Sequence, residues 1–212
     1  MVAPDVHEVR LATVNREEEQ GKEDLARRLR ELHLSLRTSM KERWNRALPF
    51  EDELFDRWER AQFLGFGNES SIYEQSYVYG DVRVGAHTWV GPMTLLDGTA
   101  GLTIGDYCSI SAGVQIYTHD TVEWALTAGK AAHARGPVVI GDCCHIGALS
   151  VVVKGVTIGD HCVIGAHSFV NRDIPPYTVV AGVPARPIGT VEVTGEDEVR
   201  IVFPASPEAS TE

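Results

Sequence analysis

An aliphatic residue returns at every sixth position through much of the chain: Ile104, Ile110 and Ile116, then Ile140, Ile146, Val152, Ile158, Ile164 and Val170. Gly105, Gly141, Gly147, Gly159 and Gly165 directly follow five of them. A period of six fits neither a helix, which repeats near 3.6, nor a strand that ends in a hairpin. It fits a chain wound as a triangular prism, with one hexad per face and three hexads per turn. Hexapeptide repeats of this kind are a signature of parallel β-helices. Weaker hexads begin at Ile72 and continue through Val78, Val84, Val90 and Leu96. The frame slips by two residues around Gly98-Thr99-Ala100-Gly101, which reads as a bulge at a corner. Between Ile116 and Ile140 lie one hexad plus eighteen residues, so Thr118 to Pro137 is expected to protrude as a loop. Long loops on compact scaffolds are usually functional.

Four segments follow from this frame. Residues 1–20 are polar and acidic without periodicity, and read as a disordered tail. Residues 21–66 read as a helical N-terminal segment. Leu25, Leu29, Leu32 and Leu36 recur at helical spacing, which predicts a stripe packed on the β-domain or on a neighbouring subunit, or a helix kept for a partner. A second helix is expected over Glu51–Phe63, with Leu54, Phe55, Trp58 and Ala61 as its apolar face and Gly65-Phe66-Gly67-Asn68 as its stop. Residues 70–189 form the β-helix domain with its loop at 118–137. Its ladder is expected to end at Pro175-Pro176, since proline cannot donate to it. Residues 190–212 read as an acidic tail, with a strand-like piece at Val199–Phe203 followed by disorder.

A formal net charge of −11 argues against non-specific nucleic-acid binding, which needs a basic surface. No apolar run is long enough to span a bilayer, so no membrane insertion is expected. Met1–Gln20 lacks the apolar core of a signal peptide, and the four cysteines include no CxxC pair. The expectation is a reduced, cytoplasmic protein. Side chains alternate along a strand, so the fourth residue after each aliphatic also points inward. That position holds Cys108, Cys144 and Cys162 on one face of successive coils, about 4.8 Å apart. A structural thiol ladder is the expectation and a zinc site the alternative, while Cys143 should face outward.

Chemistry concentrates where the period fails. His119 lies where the chain leaves the prism, and a neutral imidazole can take a proton from a hydroxyl or amine near neutral pH. His87, His145, His161 and His167 fall on outward or corner positions, and His7 and His33 lie outside the β-domain. His133, within the loop, is the competitor.

Several segments together resemble the hexapeptide-repeat acyltransferases, most closely the maltose, galactoside and polysaccharide O-acetyltransferases. They are Ile116-Tyr117-Thr118-His119, Pro137-Val138-Val139-Ile140-Gly141-Asp142 and Lys154-Gly155-Val156-Thr157-Ile158-Gly159-Asp160. Asp173-Ile174-Pro175-Pro176 and Gly182-Val183-Pro184-Ala185-Arg186 complete the set. The resemblance implies a left-handed parallel β-helix, a homotrimer with active sites between subunits, and acetyl-CoA as acyl donor without a required metal. It implies His119 as the base that deprotonates the acceptor in a ternary complex. It also implies that the amides of Ala148 and Ala166 bind the cofactor arm and the developing oxyanion, with Asn171, Arg172, Arg186 and Lys154 towards its phosphates and adenine. The acceptor would be a small molecule, a sugar or sugar derivative, contacted by Asp97 and Trp124.

The sequence departs from that family at four points. The family often has one or two further residues between the threonine and the histidine, so His119 starts its loop slightly early. His145 stands where an aromatic residue is frequent, and Ala148 where a serine is common. The run Pro92-Met93-Thr94-Leu95-Leu96-Asp97-Gly98 lacks an asparagine of the galactoside type, which implies a different acceptor pocket. Two other functions remain open: a zinc-dependent carbonic anhydrase on the same scaffold, which needs three His ligands, and a non-catalytic assembly module.

Overall fold

The computed structural model describes the backbone of residues 6–195 and 198–204, with side chains from residue 19 onward. The chain divides into two compact units, the first ending at Leu54 and the second starting at Phe55.

The first unit is built on one long helix, α1 (Val6–Trp44), followed by the short α2 (Phe50–Leu54). The helix starts at Val6, inside the stretch to Gln20 expected to be a tail. From Arg16 to Gln20 the stretch is all Arg, Glu and Gln, and such straight-chain residues propagate a helix even without an apolar stripe. Residues 1–5 lie outside the described residues. Asn45, at φ +51°, ends α1 in the left-handed conformation common at helix ends, and Lys41 Nζ donates to its side chain at 2.6 Å. Glu53 of α2 faces α1, with His33 Nε2 3.1 Å from its carboxylate. Leu25, Leu29 and Leu32 are exposed and Leu36 is half-buried.

The single helix expected over Glu51–Phe63 is two: its start falls in α2, the chain breaks at Phe55-Asp56, and a second helix begins at Arg57. The carboxylate of Asp56 accepts from the Trp58 and Glu59 amides and starts α3 (Arg57–Phe63) afresh. Of the four expected apolar-face residues only Ala61 is buried; with Phe66 it joins the core above Ile72. The prism follows. Ser71–Ile72, Trp89–Val90, Ser109–Ile110, His145–Ile146, Val163–Ile164 and Thr178–Ala181 stack in parallel on one face. A second face carries Gln115–Ile116, Val151–Val152 and Phe169–Val170 against the first halves of Tyr77–Val84 and Leu95–Ile104. The later halves of those two long strands continue onto the third face, beside Val138–Ile140 and Thr157–Ile158. Each coil thus spends two ladder residues per face and four at a corner, which is why six is the period. The hexad aliphatics point inward and are almost fully buried.

The glycines and the corner residues have distinct roles. A Cβ on Gly141 would lie 2.8 Å from Asp160 N, and one on Gly147 2.5 Å from Ala166 N. These glycines are required by the approach of the next coil, and their φ is ordinary. The left-handed backbone falls two residues later, at the third position after most of the aliphatics. It is held there by Tyr107, Cys143, Leu149, His161, His167 and Tyr177 as well as Gly113 and Gly155. His161 and Tyr177 stack at 4.9 Å on one such corner, and His87 and Tyr107 at 4.5 Å. The aspartates that follow Gly105, Gly141 and Gly159 tie the same corner together. Asp106 Oδ1 accepts from Ala86 N, Asp142 Oδ1 from Asp106 N, and Asp160 Oδ1 from Asp142 N, at 2.6–2.9 Å. Inside, Cys108, Cys144 and Cys162 form the ladder expected of them. Each thiol donates to a carbonyl of the next coil, Gly141, Gly159 and Pro175 in turn, at 3.1 Å. Cys143 is exposed.

The C-terminal boundary differs from expectation. The ladder runs past Pro175-Pro176, because these prolines occupy a corner rather than a strand and no ladder N–H is needed there. Thr178–Ala181 adds another parallel strand, and Arg186–Val193 closes the sheet by pairing antiparallel to it. Val199–Val202, expected as a strand, pairs with Arg186–Val193. The domain therefore extends beyond residue 189, and residues 205–212 lie outside the described residues.

The two glycine environments separate in a stability measurement. Gly141→Ala drives a methyl into the Asp160 backbone and is expected to cost about 2–3 kcal/mol. Gly155→Ala has open space but a φ of +79°, so about 1 kcal/mol is expected. Urea midpoints of the two variants check this; an equal or reversed order contradicts close coil packing as the reason for the first glycine.

Candidate active site

Both irregularities of the hexad frame meet at one point. In the first, Gly80 pairs with Gly98 and Val82 with Leu102, so two residues of one strand oppose four of the next. The expected slip is thus a bulge inside the continuous strand Leu95–Ile104. It folds Thr99 back onto Asp97: the Thr99 amide donates to Asp97 Oδ1 at 2.9 Å, and its hydroxyl donates to the same oxygen. In the second, the chain leaves the prism at Thr118. Its amide donates to Asp97 Oδ2 at 2.9 Å, and its hydroxyl bonds to the same oxygen at 3.3 Å while accepting from Ala100 N. The loop has structure of its own. His119–Asp120 pairs antiparallel with Ala134–Arg135, and α4 (Val122–Leu126) lies between.

His119 stands on this carboxylate, with Nδ1 2.6 Å from Asp97 Oδ2. Asp97 is 1 % exposed and His119 about one-third exposed. Burial by itself would raise the Asp97 pKa. The Thr99 hydroxyl, the amides of Thr118 and Thr99, and His119 together outweigh it and hold the carboxyl far below the usual range. An ionised Asp97 only accepts, so His119 Nδ1 carries a proton, and in the neutral ring the lone pair is on Nε2. Asp97, expected to contact the acceptor, has its oxygens committed to Thr99, Thr118 and His119, where they orient the imidazole. The available signal was a carboxylate directly before the bulge, with Thr99 two residues on.

A cavity of about 350 Å³ opens beside His119, lined also by Tyr117, Asp120, Val122, Val153 and Lys154. Lys154, expected near cofactor phosphates, lies in this wall and pairs with Asp120. That pair, followed by the Val122 amide, keeps the Asp120 carboxyl below its ordinary range. Trp124 sits on α4 with its ring edge-on to His133 at 5.8 Å. Neither is in the cavity lining, and His133 is exposed. Asn171 and Arg172 are exposed at a corner, and Arg186 donates to the carbonyl of Ala185. No common cluster joins them to Lys154. Ala148 and Ala166 occupy equivalent corners of successive coils. At their corner alanine stands where the Asp106–Asp142–Asp160 corner has a capping carboxylate. Among the described residues neither the Ala148 nor the Ala166 amide has an acceptor. Such amides suit a ligand that offers carbonyl oxygens. Among the described residues no three His, Cys, Asp or Glu side chains converge as a metal site would need.

Residues 137–172 match the family described as Bacterial transferase hexapeptide (six repeats). Galactoside O-acetyltransferase of Escherichia coli is 34 % identical over 169 residues, covering 78 % of this chain and 82 % of that one. The chain belongs to the hexapeptide-repeat acetyltransferase family. Nodulation protein L of Rhizobium meliloti is 41 % identical over 109 residues, 51 % of this chain and 60 % of its own length. The match to a tetrahydropyridine-dicarboxylate N-acetyltransferase of Ligilactobacillus salivarius spans 28 % of that protein, so this chain corresponds to only part of some relatives. Among solved structures, AntD, an N-acyltransferase from Bacillus cereus crystallised with dTDP-4-amino-4,6-dideoxyglucose and coenzyme A, shares the fold. The TM-score is 0.53 at 21 % identity, over 62 % of this chain and 88 % of that one. Within the hexapeptide-repeat frame the departures noted above stand as surface features: His145 is exposed, and Ala148 offers a backbone amide without a hydroxyl.

The depressed Asp97 pKa has a definite sign. A carboxylate stabilised in the folded state contributes above its unfolded value, near 3.9, and that contribution is lost as pH falls through the lower folded value. Asp97→Asn places an amide among hydrogen-bond donors and is expected to cost on the order of 2 kcal/mol at pH 7. The gap to wild type should shrink below about pH 4, as followed by urea unfolding at pH 7 and pH 3. A gap that stays constant over that range rules out an ionised Asp97 as the source.

Proposed function

We propose that the chain is an acyl-CoA-dependent acyltransferase that moves an acetyl group from acetyl-CoA to a hydroxyl or amine of a sugar or related small acceptor. One observation carries the reading: in a chain of this family, an imidazole held by a buried, ionised carboxylate stands at the wall of a cavity between the loop and the prism. Acetyl-CoA, when bound, supplies a thioester whose carbonyl carbon is open to attack. His119 Nε2 takes the proton of the acceptor hydroxyl or amine as that atom bonds to the acyl carbon. The same nitrogen returns the proton to the leaving thiolate. Asp97 favours the imidazolium that exists between the two transfers and keeps the ring in the required tautomer. The acceptor-free amides of Ala148 and Ala166 are suited to the amide groups of the cofactor arm and to the oxygen that gains charge. Asn171, Arg172 and Arg186 remain the candidates for its phosphate and adenine end. Lys154 and Asp120 belong instead to the wall near the reacting atoms. Among the described residues no Ser or Cys is hydrogen-bonded to His119, which favours direct transfer in a ternary complex over an acyl-enzyme.

We assign the working form to a homotrimer, with the cavity completed by a neighbouring subunit, and the protein to the cytoplasm. Three buried thiols that donate hydrogen bonds rather than pair fit a reducing compartment. No helix of the described residues is long and apolar enough to cross a membrane.

A thiol-release assay with acetyl-CoA across sugars, nucleotide-sugars and amines tests the activity. His119→Ala is expected to lower turnover by about 10²–10⁴-fold with CoA binding and assembly size retained. Near wild-type turnover would move the base to His133 or remove this mechanism. Signal with no acceptor at all would favour the assembly-module reading.

A further inference from the structure

We propose that Tyr77, Tyr79 and Tyr117 form an extended acceptor subsite beside the base, so that the acceptor is a chain of neutral sugar units rather than a single sugar. The proposal rests on the reading of the His119 cavity as an acyl-transfer site. Tyr77 and Tyr79 flank Val78, whose side chain packs against the core, so both phenol rings project from the outer surface. They are 60 % and 50 % exposed and stack on each other, with centroids 6.1 Å apart at 29°. Rings held in this way give the prism no core, and Trp89 and Tyr73 on the neighbouring face are far better covered.

Register places the pair relative to the base. Tyr79 is the direct partner of Asp97 across the parallel ladder. Leu96 pairs with Ile116, so Tyr117, one residue further on, falls on the other side of Asp97. The row along this face therefore reads Tyr79, Asp97, Tyr117, Val153, and His119 stands on Asp97. The base lies between two surfaces: the cavity of Tyr117, Val153 and Lys154 on one side, and the open tyrosine pair on the other. Tyr79 and Tyr117 are two strand spacings, about 10 Å, apart. An acceptor whose reacting hydroxyl reaches His119 Nε2 from the tyrosine side would lay its next units across Tyr79 and Tyr77.

The chemistry of that surface selects for carbohydrate. An exposed phenol offers an apolar face for the C–H side of a pyranose and a hydroxyl for its rim. The charged residues that follow this pair in the strand, Asp81 and Arg83, neutralise each other at 2.9 Å. Gly80, next to Tyr79, and Gly98 beside it in the ladder leave no side chain to block the path.

The experiment uses cello- and malto-oligosaccharides of one to five units with the full-length protein. In thiol release, kcat/KM in one series should rise about tenfold from one unit to three. Tyr77→Ala/Tyr79→Ala should bring the trisaccharide value down to that of the monosaccharide. A preference that is absent in wild type, or survives in the double variant, overturns the proposal while leaving acyl transfer intact. If no acceptor is acetylated, NMR titration of the trisaccharides into the CoA-loaded protein decides separately. Shifts weakened by the double substitution keep the subsite although the catalytic reading fails, and absence of binding in both series overturns it. A change of assembly size in the double variant would assign the tyrosines to a contact with a second copy and also overturn it.

Discussion

Every part of the second unit answers to one distance, the spacing of about 4.8 Å between hydrogen-bonded strands. Six coils stacked at that spacing on one face leave no room for a Cβ at Gly105, Gly141 or Gly147. The same spacing lets an aspartate at one corner reach the amide of the coil before it, and lets each buried thiol reach a carbonyl of the coil after it. Corners must then turn within four residues. Most corners do so with a left-handed residue, which the chain tolerates even for Leu149 and Tyr177 because the ladders on both sides fix the backbone. Core, corners and glycines are one solution to one constraint.

The candidate site arises where that constraint is locally released. A regular prism offers no cavity and buries no unneutralised carboxylate. Two extra residues at the bulge and an eighteen-residue loop break the repeat on adjacent coils, and their freed backbone groups converge on Asp97. The amides of Thr99 and Thr118 make it tolerable to bury a charge there, and the charge in turn fixes the tautomer of His119. The rigid ladder below supplies what a loop by itself lacks, a fixed platform for an oriented imidazole. The uncapped amides of Ala148 and Ala166 express the same logic. Where one corner spends aspartates on holding coils together, this one has alanines, and among the described residues their amides have no acceptor.

Much of this was legible in the residue order, for identifiable reasons. The hexad period gave the prism because inward packing repeats with it, and the interruption at Thr118 marked the loop. The position of His119 at its start singled it out among eight histidines. Cys108, Cys144 and Cys162 read correctly as core because one face recurs every eighteen residues once the loop is set aside. Asp97 was misread: its pattern position is outward, and only the bulge and loop folding over it make it buried. Lys154 was misplaced because its partner, Asp120, lies thirty-four residues away on the loop. The Pro175-Pro176 stop failed because proline ends a strand but not a corner.

The sequence by itself determined the repeating geometry: period, inward residues, close-packed glycines, and the two places where the pattern breaks. These are local matters of alternation and steric room, and a single chain segment carries them. Which groups meet across coils was decided by tertiary structure alone. Asp97 and His119 are separated by twenty-two residues and by two irregularities, and no periodicity predicts that both fold onto the same carboxylate. The tautomer of His119, the charge of its partner and the row of tyrosines beside it depend on strand register, which only the stacked coils fix.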